Sequence, residues 1–179
     1  MSKVSRERIG TEVLKSLSHP NGHRFVKLLS DSHIWDLILH PPQDVLKLDD
    51  FSVENFEKIL SENIKIANGF FDKSELYDGV SCEWDDKDQD GVLSILSALL
   101  YGFQNVKKNK TIKSIKKLNL LEYYVREGMK LSKNICRDVN TICEGAEMLN
   151  NTEKSPAKIG IFINFVKQLW PYALILWSK

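Results

Sequence analysis

Six lysines crowd the eleven residues "KKNKTIKSIKK": Lys107, Lys108, Lys110, Lys113, Lys116 and Lys117. Read as a helix, the spacing sets Lys110, Lys113 and Lys117 on one face with Lys116 beside them. Arg126, Lys130, Lys133 and Arg137 continue the row at four- and three-residue steps, and Tyr123 and Tyr124 fall within it. Cations so arranged suit the phosphates of RNA or DNA, and the tyrosines suit stacking on bases. Lysine dominates arginine here, and lysine meets phosphate as a point charge without the fork that reads base edges. The contact expected of the six lysines, Arg126 and Lys130 is therefore backbone-driven and salt-sensitive. The competing reading is a solvated face, or an internal partner for acidic sequence elsewhere in the chain.

A second cluster is acidic. In "DDKDQDGVLSIL", residues 85–96, Asp86, Asp88 and Asp90 alternate before Gly91, and Val92 and Ser94 follow with a main-chain carbonyl and a hydroxyl. Hard oxygen donors at these offsets are what calcium takes, and through its ninth position the stretch resembles an EF-hand loop. The twelfth position is Ser97, where that family supplies a bidentate glutamate. Without those two oxygens any affinity falls to the millimolar end of the range. Asp86, Asp88, Asp90 and Ser94 are thus weak calcium candidates. The alternative is a charged N-terminal cap on a buried helix.

The four histidines, His19, His23, His33 and His40, all lie in the first 40 residues. On a helix, His33, Asp36 and His40 share a face at metal-ligand spacing, or simply face solvent. There is no G-x-S-x-G, P-loop or G-x-G-x-x-G motif. Cys82, Cys136 and Cys143 form no C-x-x-C pair, which reads as free thiols in a reducing compartment. A non-enzymatic chain without a cofactor or metal is the expectation. Its leading function is protein-protein interaction, accessory or regulatory and of a viral type among others, through Phe70, Phe71 and Trp84 in the unpatterned stretch 70–90. Nucleic-acid binding by residues 107–137 is the alternative, and weak calcium binding a minor one.

These groups need elements to carry them. A chain of 179 residues with 42% hydrophobic content suits one domain over 1–179. Apolar residues recur at three- and four-residue steps with no sustained alternation, so the fold class is all-α, a single compact domain of six to eight helices. Pro41 and Pro42 break the chain, Ser52 caps a helix that Gly69 ends, and residues 92–103 form a central helix apolar around most of its surface. From Leu118 to Leu149 a three-four alternation supports one long heptad-like helix, or two segments broken near Gly128. That seam packs internally or joins a second copy in a homo-oligomer. Ser155 and Pro156 open the last helical stretch.

Net charge is +1, yet residues 41–90 carry −9 and residues 105–137 carry +8. "LKSLSHPNGHRFVKLLSD", residues 14–31, resembles the opening of ArsR-type winged-helix regulators. The acidic, proline-broken continuation departs from that family, so the likeness implies nothing further. The charged N-terminus lacks the apolar stretch of a secretory signal, and Asn164, Lys167, Gln168 and Pro171 interrupt the C-terminal apolar run. A cytoplasmic or nuclear location without membrane contact is expected.

Overall fold

The period that begins at Ile9 builds α1 (Arg6–Leu17), opened by Ser5, whose hydroxyl accepts the Arg8 amide at 3.3 Å. The computed structural model describes residues 4–19, 22–42, 45, 52–72, 89–106, 119–150 and 155–178, with the backbone alone for residues 23, 70–72, 89–90 and 175. After α1 come α2 (Gly22–Asp31), the short α3 (Ile34–Ile38) and α4 (Val53–Asp72). The Ser52 hydroxyl accepts the Asn55 amide at 3.2 Å, as a capping serine should. Gly69 does not end α4, which runs on to Asp72. A helical glycine costs only about 1 kcal/mol relative to alanine.

At the centre lies α5 (Gln89–Leu100), and every residue from Gly91 to Leu100 is buried. A helix apolar on all sides needs neighbours on all sides. α4 and α7 (Lys133–Asn150) supply two of them, α2 packs on α4, and α1 packs on α2. Inside this core Asn63 is 3% exposed, and its Nδ2 donates to the carbonyls of Leu99 at 3.0 Å and Tyr101 at 2.7 Å. These carbonyls close α5 and would otherwise lack helical partners.

The apolar run from Leu118 resolves into two segments. α6 (Leu120–Tyr123) starts at a capping box in which Asn119 and Glu122 exchange side-chain to backbone bonds at 2.7 and 2.9 Å. A π turn over Tyr124–Gly128 follows, where the Met129 amide reaches back to Tyr124 O at 2.8 Å. Ser132 then caps α7, and its stripe of Ile135, Val139, Ile142 and Ala146 is buried as the spacing predicts. Gly145 lets the last elements close on α7: a Cβ there would overlap Val166 and stand 3.1 Å from the Ala173 methyl. Those elements are α8 (Pro156–Val166), a 3-10 turn over Lys167–Leu169, and α9 (Trp170–Trp177). Among the described residues no helix is long and apolar enough to cross a membrane, and no strand occurs. The all-α expectation is what the structure shows.

Candidate nucleic-acid interface

α1 and α2 each bury one stripe and leave their charged residues exposed. On α1, Gly10, Val13 and Leu17 are buried while Arg6, Arg8 and Lys15 are exposed. On α2, Val26 and Leu29 are buried while Arg24 and Lys27 are exposed. These five exposed cations face three exposed acids on the same helices, Glu7, Glu12 and Asp31. One acid is partly committed, since Glu12 Oε1 lies 3.4 Å from Lys15 Nζ. The floor beneath is rigid: Trp35 is 1% exposed, donates Nε1–H to the Val26 carbonyl at 3.2 Å, and meets Phe25 edge-on with centroids 6.4 Å apart. An anchored indole of this kind fixes α3 against α2.

A contact between distant segments then adds to the site. A Cβ on Gly10 would overlap the Met129 carbonyl oxygen, so α1 rests directly on the backbone that leaves the π turn. Lys130 is the next residue. It is exposed, has a left-handed φ of 55°, and its Nζ sits 2.5 Å from Glu127 Oε2. Arg126 is half-buried in the π turn, close enough to Cys136 to oppose the rise in that thiol's pKa. Burial, then Glu122, pushes Cys136 up to about 11. Lys130 is thus the predicted phosphate contact that follows directly on the backbone under α1, while Arg126 lies near Cys136 of α7. Lys107, Lys108, Lys110, Lys113, Lys116 and Lys117 lie outside the described residues.

Other expectations fare differently. Tyr124 cannot stack on bases: it is fully buried, edge-on to Phe103 at 5.3 Å and to Tyr123 at 5.9 Å. The calcium-loop resemblance fails for a second reason besides Ser97. α5 begins at Gln89, so Asp90 is in its first turn and Ser94, 2% exposed, points into the core. A wrapped loop and a regular helix cannot occupy the same residues. Asp86 and Asp88 lie outside the described residues, as does Trp84, and the side chains of Phe70 and Phe71 at the end of α4 are likewise not described. His33 stands at the N-cap position of α3 without a side-chain cap bond, its Nδ1 3.1 Å from Asp36 Oδ2, and among the described residues no three potential ligands gather for a metal ion.

Known proteins give this geometry a context. Residues 1–45, the stretch that contains α1, α2 and α3, match a family model described as "Probable RNA and SrmB- binding site of polymerase A". The chain is also 27% identical, over 198 aligned residues, to the mitochondrial CCA tRNA nucleotidyltransferase of Saccharomyces cerevisiae (strain ATCC 204508 / S288c). That alignment covers 96% of this chain and 35% of the relative, so the chain spans about a third of the relative's length. No solved structure matches. Sequence reasoning missed α1 and α2 as a candidate RNA face because their cations alternate with acids, leaving no charge run to notice. The visible signal was subtler: arginines and lysines recurring among the polar positions of two short amphipathic helices. The similarity to an enzyme and to an RNA-binding segment overturns the expected non-enzymatic protein-interaction role. Of the two readings the sequence offered, nucleic-acid binding is the one these similarities favour.

Proposed function

We propose that the chain is an RNA-contacting helical part of a tRNA nucleotidyltransferase-type enzyme. The observation that carries this reading is the coincidence of the RNA-binding family match with α1–α3, the segment whose exposed faces hold Arg6, Arg8, Lys15, Arg24 and Lys27. In this account those five side chains track the phosphates of one RNA strand, and Arg126 and Lys130 extend the track across the π turn. The lysine run 107–117 is proposed to add further phosphate contacts. Transfer of a nucleotide, as the name of the relative describes, would be the activity of the enzyme this chain helps to form. A mitochondrial location belongs to the same proposal, in place of the cytoplasmic one expected from the N-terminus.

Binding of unmodified tRNA, followed by fluorescence anisotropy across a salt series, tests the proposal. Log affinity should fall linearly with log salt, each phosphate contact contributing a slope of roughly −0.7 to −0.9. The double change Arg24→Gln and Lys27→Gln should weaken binding at every salt concentration and make the slope shallower by about 2. Absence of binding at low salt, or a variant indistinguishable from the parent chain, would overturn the assignment of α1–α3 as the contact face.

A further inference from the structure

Between α3 and α4 lies a cleft of about 560 Å³, inside the range typical of small-molecule sites, roughly 300–1,000 Å³. One wall belongs to the segment that matches the RNA-binding family and supplies His33 and Asp36. The other wall is α4, which supplies Glu57, Ser61, Ile64 and Lys65. Trp35 forms the base between them. It is fixed by its bond to Val26, so one wall of the cleft does not depend on a ligand for its shape.

The chemistry is mixed in an informative way. Two carboxylates on opposite walls disfavour a bare phosphate at the mouth but accept well from hydroxyl groups. Asp36 uses one oxygen toward His33 Nδ1 at 3.1 Å, and a carboxylate retains further lone pairs for a second donor. Ile64 offers an apolar surface and Ser61 a hydroxyl that can donate or accept. Lys65 lies two turns beyond Glu57 on α4, a rise of about 12 Å along the axis. Hydroxyl acceptors, an apolar surface and a cation in one slot correspond to the three parts of a nucleotide: ribose, base and phosphate.

We infer that this cleft receives one unpaired ribonucleotide of the bound RNA. Its ribose hydroxyls donate to Asp36 and Glu57, its base lies against Ile64, and its phosphate turns toward Lys65. The inference rests on the RNA-binding reading of α1–α3 and adds a discrimination that phosphate tracking does not provide. The 2′-hydroxyl is the group by which a protein tells RNA from DNA, and carboxylates that accept from it meet one donor fewer on a deoxyribonucleotide.

The test compares a short fluorescein-labelled single-stranded RNA with the DNA of the same sequence, titrated with the full chain. The parent chain should bind the RNA about tenfold more tightly, the scale of a hydrogen bond to a charged acceptor. Asp36→Ala with Glu57→Ala should abolish the preference, so that RNA and DNA bind with equal affinity. Ser61→Trp, which fills the slot and keeps both carboxylates, should do the same, and matched melting curves will verify that both variants fold. Equal RNA and DNA binding by the parent, or a preference that survives both variants, would refute the cleft while leaving RNA binding by α1–α3 intact. Binding of neither strand at low salt would refute both.

Discussion

Cys143 lies wholly inside the core, its thiol donating to the Ser97 carbonyl at 3.5 Å, and Tyr124 is equally enclosed. Burial raises both pKa values, pushes Cys136 up to about 11 and, with Glu147 nearby, pushes Tyr101 up to about 12. Each group is held in its neutral form by the fold. The ordinary values are 9.0 for these thiols and 10.0 for the tyrosines. A raised folded-state pKa stabilises fully below the unfolded value and is lost as pH climbs through the folded one. Thermal melting should therefore show no loss from these groups up to about pH 9, and a falling midpoint between there and about pH 12. A midpoint that stays level across that window would show that these side chains reach solvent in the folded state. None of this burial could be read from the cysteines themselves, since their sequence neighbourhood fits exposed and buried thiols alike. The helical stripe that carries Val139, Ile142 and Ala146 did place Cys143 next to a core position. The same residue scale misled the reading of Tyr124. An aromatic beside cations looks like a stacking platform until the π turn rotates it inward.

At the scale of elements, period and punctuation were good guides where a cap or a break is local chemistry. Ser52 and Ser155 cap the helices that the sequence assigned to them, and Ser5 and Asn119 cap two more that it did not single out. Gly128 marks the break between α6 and α7. Gly10 was not legible, because its role is set by Met129, more than a hundred residues away in sequence. In the proposed RNA face that contact sets α1 against the backbone that leads into Lys130. Gly10→Ala would force a methyl into the Met129 carbonyl. Overpacking of this type costs about 1–3 kcal/mol, which for a chain of this length lowers the melting midpoint by a few degrees per kcal/mol, roughly 2–4. If α1 and the π turn act as one surface, the same variant should weaken tRNA binding although it removes no charge. Unchanged affinity alongside the lowered midpoint would separate α1 from that surface. The acidic stretch 85–90 teaches the converse lesson. Its ligand-like spacing is real in one dimension, but α5 already begins at Gln89, and helix formation decides what those residues can do.

On the scale of the whole molecule, α5 is the axle around which α4, α7 and, through them, α2 and α9 are packed. The all-α class was evident from the absence of alternating patterns, and it is the property least dependent on any single residue. Function was not evident at this scale. A net charge of +1 conceals the exposed cations of α1 and α2, and which residues a helix exposes is a three-dimensional property. The expectation of protein binding arose from an aromatic-rich stretch outside the described residues. The family match covers residues 1–45, in which α1 and α2 keep charged residues exposed. The central claim is that bound RNA runs along α1 and α2. It is tested most directly by ultraviolet cross-linking of the full chain to tRNA, with the joined peptides identified by mass spectrometry. The account predicts cross-links within residues 6–31 and around Arg126–Lys130, competed away by added salt. Cross-links confined to α8 and α9, with none on α1 or α2, would contradict it.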